Sequence, residues 1–190
     1  MTLENINYIA QTIGVLAILG SLLFVGRQLQ QAQKIERAAA QRELLALVSE
    51  WAWKVNGSES DLFVRGLMEF DDAPARQQGY LSTALSDFVF IAESALNMHK
   101  DGFFSDGTWA GIEGGALALL RTRGGAQWWR YGQTYIGPEI VAHLNKRLAE
   151  TDPSAPTFID FLPTYRKRLE ELRAVDVQGE PPSKGDAPLP

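Results

Sequence analysis

The sequence contains no cysteine and only two histidines, His99 and His143. Disulfides, thiolate nucleophiles, iron–sulfur clusters and Cys-based zinc sites are thereby excluded, and a multi-histidine centre nearly so. Neither a Glu-x-x-His nor a His-x-x-x-His spacing occurs, so no metal is expected. Gly-x-Gly-x-x-Gly, Walker and Gly-x-Ser-x-Gly elements are missing too, which leaves no cofactor and no catalytic residue to name. A basic excess is also lacking. The 18 Lys and Arg stand against 23 Asp and Glu, a formal charge of −5. Nucleic acid, which is bound by neutralising phosphates, is not an expected partner. The chain carries no β-hairpin signal, no long alternating strand and no internal repeat.

What is present begins with an uncharged run. From Asn5 to Gly26, 22 residues carry no formal charge, and Ile13 to Val25 is apolar apart from Ser21 and the small Gly14 and Gly20. At about 1.5 Å per residue such a helix reaches roughly 33 Å, enough for a hydrocarbon core of about 30 Å. Tyr8 sits near one end, where aromatic side chains favour the interface. A buried soluble helix and a cleaved signal peptide are the competing readings. Gln11 and Thr12 shorten the strictly apolar run, which speaks for the first. The second lacks a Lys or Arg before the run, and the cleavage-like Ala38-Ala39-Ala40 lies well beyond it. A membrane span over residues 6–26, with the lipid bilayer as its partner, is the better reading. Glu4 precedes the span, while Arg27, Lys34, Arg37 and Arg42 follow it. Basic flanks stay in the cytoplasm, so the N-terminus is expected outside a bacterial inner membrane and the domain in the cytoplasm.

No Pro or Gly occurs between Arg27 and Asn56, and the intervening run is rich in Ala, Leu, Gln, Arg and Glu. These are strong helix formers, so span and run are expected to form one helix. Leu44, Leu45, Val48, Trp51, Ala52 and Val55 mark an apolar stripe at i, i+3/i+4 spacing. The globular part is therefore expected from about Leu44, above a polar neck at 27–43. Asn56-Gly57 stops this helix.

Further helices are read after Ser58, after Asp72 as cap with Pro74 in the first turn, and from a cap at Asp106 or Thr108 to Arg123. Gly124-Gly125 is read as a break before a helix over Ala126–Tyr135. Gly137-Pro138 opens another helix, and Pro163 begins a last one ending near Arg173. The fold class is all-α: a single N-terminal transmembrane helix continuing into a bundle of about five to seven helices. The expected divisions are an anchor at 1–26, a neck at 27–43, a bundle at 44–174 and a disordered Pro-rich tail at 175–190.

The order of segments is a span ending LLFVGRQLQQAQ, then LFVRGLMEF, then FIAESALNMHKDGFFSDGTWAGIEGGALALL, then RGGAQWWRYGQTYIGPEIVAHL. This pattern resembles an uncharacterised family of small bacterial proteins with one N-terminal transmembrane helix and a helical cytoplasmic domain. It departs at Ile91-Ala92-Glu93, where the family often places an aromatic residue directly before the Glu. The resemblance implies fold and topology, and it brings no activity.

Candidate functional residues are few. Glu93, Asn97 and Lys100 share a helix face at i, i+4, i+7, as a ligand-binding or an interhelical polar stripe. His99 lies on the apolar face and would pair with Glu113 or Asp106 from the next helix. Glu93 and His99 lie about 120° apart around the helix, so they do not easily address one atom. Trp51, Trp109 and one of Trp128 and Trp129 are expected core anchors. Two adjacent indoles cannot both face one core, so the other is expected at the surface as a partner or membrane contact. Gly14 and Gly20 are candidate contacts within the span. Two function classes result. One is an anchored interaction or scaffold protein, an accessory subunit of an inner-membrane complex or a homo-oligomer, using Trp128, Trp129, Gly14 and Gly20. The other is a ligand sensor or enzyme with an interhelical pocket around Glu93, His99 and Glu113.

Overall fold

The computed structural model describes the backbone of residues 3–179 and the side chains of Gln11 and residues 13–174. All described secondary structure is helical, in eight helices. The chain divides into two compact units, Met1–Glu43 and Leu44–Pro190.

Most of the first unit is the N-terminal part of α1 (Leu3–Val55), which runs unbroken for 53 residues. Nothing in its sequence interrupts the i→i−4 ladder, since Pro is absent and the three glycines are isolated. Every described residue from Ile13 to Val25 is exposed, and the apolar side chains point in all directions around the axis. Gly14 and Gly20 face open space. Tyr8 lies outside the residues whose side chains are described.

The second unit begins with the end of α1, where Leu44, Trp51 and Val55 are buried on one face. Seven described helices follow: α2 (Ser60–Met68), α3 (Ala75–Lys100), α4 (Asp106–Leu120), α5 (Arg123–Gly132), α6 (Pro138–Glu150), α7 (Phe158–Phe161) and α8 (Pro163–Gly179). Short connections stack α2 on α3 and α3 on α4, while α5 packs on α2, α3 and α4. One apolar core runs through them, with Phe63, Leu67, Leu81, Leu85, Leu119, Leu120, Trp128, Ile140 and Leu144 fully buried. Trp51 enters this core from α1. Its indole N–H donates to the Ala84 carbonyl at 2.7 Å, and its ring meets Phe63, Phe88 and Phe158.

Several boundaries differ from those read in the sequence. The residue preceding α3 is Pro74 itself and not Asp72, and Ser105 caps α4 by accepting from the Thr108 N–H. Gly124-Gly125 does not break the helix. Thr122 accepts from the Gly125 N–H, so α5 starts at Arg123 and both glycines lie in its first turn. They are there for contact: a Cβ on Gly124 would strike the Gly66 carbonyl of α2, and one on Gly125 the Leu119 carbonyl of α4. Phe158–Phe161, ahead of the helix expected from Pro163, forms a further helical turn closed by a Thr157–Asp160 capping box. Finally, α8 continues to Gly179, past the predicted end near Arg173. Residues 174–178 contain no Gly or Pro to stop it, so the predicted tail is helical over 175–179. The rest of the predicted tail, 180–190, lies outside the described residues.

Candidate functional site

A polar cluster of the second unit lies where α3, α4 and α6 meet. Glu113 is on the inner face of α4, four residues after Trp109, and its side chain is only 10% exposed. A carboxylate this dry needs compensating donors. It has two, both from α6. It accepts from His143 Nε2 at 2.6 Å and from Arg147 Nε at 3.0 Å. His143 and Arg147 are one helical turn apart, so a single face of α6 presents both. The bond to Glu113, and secondarily that to Glu150, raises the Arg147 guanidinium further above its ordinary value.

Trp109 joins the two histidines. Its indole is buried and stacks on the His99 ring at 6.0 Å, and it meets the His143 ring edge-on at 5.4 Å. His99 Nε2 lies 3.8 Å from the Asp106 carboxylate, while its Nδ1 is buried without a hydrogen-bond partner. Of the two carboxylates offered to His99 by the sequence, Asp106 is the one beside it. Glu113 is committed to α6.

Glu93, His99 and Glu113 each have a different polar neighbour. The Glu93 carboxylate lies against Gly137 at the start of α6, in the space a Cβ there would take. Lys100, two turns along the same face, pairs with Glu139 in the first turn of α6. Glu93 and Lys100 both meet the start of α6, and the polar stripe on α3 is an interhelical one. Asn97 is exposed between them. The pairing of Glu113 with His143 and Arg147 was not foreseen, because the partners lie 30 and 34 positions away on a helix read only for its caps.

The tryptophans correct the surface reading. Trp128 is 1% exposed and Trp129 6%, so neither indole is offered to a partner at the surface of this unit. Adjacent indoles can both be interior because α5 is short and covered on more than one side. Trp128 lies against Gly132 within α5, and the Trp129 N–H donates to Asn145 Oδ1 of α6 at 2.8 Å. The exposed tryptophan is Trp53, at 81%, on the outer face of α1.

Among the described residues, no group of three or more His, Asp or Glu is placed to hold a metal ion. What the cluster can do is join helices: one buried carboxylate ties α4 to α6, and one indole ties both to α3. No protein-family model, no curated protein and no solved structure is significantly similar to this chain.

Proposed function

We propose that the protein is a single-pass protein of the bacterial inner membrane that acts by binding, holding its helical domain on the cytoplasmic side as a scaffold or accessory subunit. One observation carries this reading. The apolar part of α1, Ile13–Val25, is exposed on every side. A helix apolar all round is stable only when something apolar surrounds it, and the length fits a bilayer. The basic residues that follow the span set the orientation, with the N-terminus outside. Action by binding fits the polar clusters of the domain, which are spent on joining helices to one another.

Carbonate washing of membranes from cells expressing the full chain tests the anchor. Retention in the pellet is the expected result, and release into the supernatant would refute it. Protease added to intact spheroplasts tests the orientation: the domain should remain uncut until the membrane is permeabilised. Affinity purification in mild detergent then asks for the bound partner.

A further inference from the structure

Of the five asparagines in the chain, only Asn56 is followed by glycine. An Asn-Gly pair loses ammonia without a catalyst when the glycine nitrogen meets the side-chain amide before it, since no Cβ on the glycine blocks the approach. In the folded domain the two are kept apart. The Asn56 amide folds back along α1, its Nδ2 donating to the Ala52 carbonyl at 2.7 Å. That direction runs toward the helix N-terminus, away from the Gly57 nitrogen on the C-terminal side. The Gly57 N–H is itself engaged, donating to the Lys54 carbonyl at 3.3 Å. The other end of the amide is held from α8, where the Tyr165 hydroxyl donates to Asn56 Oδ1 at 2.8 Å. Tyr165 is buried, and its ring packs on Phe63 and Phe158. Asn56 and Gly57 are exposed, so water reaches both.

We propose that Asn56-Gly57 is a deamidation site guarded by α8, with the Tyr165 hydroxyl as the guard. When the hydroxyl withdraws and the last turn of α1 frays, the amide is free to turn toward Gly57. The Gly57 nitrogen gives its proton to water and bonds to Asn56 Cγ. The Cγ–Nδ2 bond breaks, Nδ2 takes up a proton and leaves as ammonia, and a cyclic imide remains. Water then adds to either imide carbonyl and opens the ring, leaving aspartate or isoaspartate. One water is consumed and one ammonia released, with nothing oxidised or reduced.

The product does not restore the old contacts. A carboxylate at position 56 has no N–H for the Ala52 carbonyl. It also sets negative charge at the C-terminal end of α1, where the helix dipole disfavours it. Each opening of α8 that lasts long enough is thereby recorded irreversibly, and the converted chain holds α8 less firmly.

The full chain in detergent, kept in warm and mildly alkaline buffer, tests this. Peptide mass spectrometry follows the replacement of the Asn56 amide by an acid. Conversion should be slow in the folded parent chain and at least about tenfold faster in urea, where local protection is gone. Tyr165→Phe keeps the ring on Phe63 and Phe158 and removes only the bond. It should speed conversion about fivefold, the factor given by one lost hydrogen bond of about 1 kcal/mol. Gly57→Ala should suppress conversion even in urea. Asn145→Ala is the control: its partners are Trp129 and Gln133, so it weakens the bundle without touching Asn56 or Tyr165. It should leave the rate unchanged. Equal rates in the folded and unfolded parent, no gain in Tyr165→Phe, or an equal gain in Asn145→Ala would each overturn the proposal. Asn56→Asp, which mimics the product, should let trypsin cut α8 at Arg166, Lys167 or Arg168 sooner, and unchanged cutting would overturn the loosening of α8.

Discussion

The Glu113 carboxylate and the His143 ring meet at 2.6 Å between helices that neither residue's neighbours in sequence would have paired. Glu113 is nearly dry and holds Arg147 as well as His143. Glu113→Ala should cost only about 1 kcal/mol in urea titration, because the donors it leaves are 29% and 41% exposed and reach water, and Arg147 keeps Glu150. Arg147→Ala should cost more, about 1–3 kcal/mol, because it leaves the nearly dry Glu113 carboxylate on His143 alone. A smaller loss for Arg147→Ala than for Glu113→Ala would show that burial of Glu113 is not what makes the cluster matter.

Glycines in the bundle should separate into two classes on substitution. Gly124→Ala places a methyl against the Gly66 carbonyl and should destabilise by about 1–3 kcal/mol as α2 and α5 are pushed apart. Gly111→Ala meets nothing within 4 Å on the exposed side of α4 and should stabilise by about 0.5–1 kcal/mol through helix propensity. Thermal unfolding of the two variants beside the parent chain decides the matter by sign alone.

Trp51 is fixed to the core both by its rings and by one bond. Trp51→Phe keeps most of the aromatic contact but loses the donor to Ala84, and about 1 kcal/mol is expected to go with it. Trp51→Ala empties the space between Phe63, Phe88 and Phe158 and should cost about 3–5 kcal/mol. If the alanine variant were no worse than the phenylalanine one, the ring contacts would be energetically idle.

Two kinds of group set the pH limits of the C-terminal part. Asp160 is held below the usual carboxylate range, first by the Thr157 backbone N–H and then by its hydroxyl. A lowered folded-state value means stability that is present above the ordinary value and lost as pH falls through the lowered one. The turn Phe158–Phe161 should therefore keep its cap down to about pH 4 and lose it below, and Asp160→Asn should remove that acid step. Tyr165 is shifted the other way, chiefly by burial, while its hydroxyl donates to Asn56. Its contribution is complete below the ordinary tyrosine value and lost as pH rises through the raised one. Tyr80 is raised as well, again chiefly by burial, so ultraviolet titration should show two of the described tyrosines ionising late, and Tyr165→Phe should remove one of them.

How much of this was legible in the sequence depends on whether the cause was local. The helical character, the unbroken α1 and the buried stripe Leu44, Trp51 and Val55 follow from periodicity and from missing Pro and Gly, which act within a few residues. Thr122 also acts locally, yet the Gly124-Gly125 pair after it reads as a stop. Its real role, letting α2 approach α5 at Gly66, depends on a residue nearly sixty positions earlier. Trp128 and Trp129 were misjudged for the same reason: a helix covered on one side exposes one of two neighbours, and α5 is covered on several. The Glu113 cluster had no local signature. Its only trace was that both histidines and a carboxylate stand on otherwise apolar helical faces, each in need of a partner from elsewhere.

One contact in the bundle bears on how the chain can vary. The Arg121 guanidinium donates to four main-chain carbonyls, those of Asp152, Pro153, Ala155 and Pro156, and so fastens the whole connection between α6 and α7. It grips atoms that every amino acid carries. Apart from Asp152, whose carboxylate accepts from the Ser154 N–H and hydroxyl, the side chains of that loop have little duty in holding its path, and substitutions can accumulate there as long as Arg121 stays. A loop fastened in this way can change its outward face, and with it what it touches, without paying in shape.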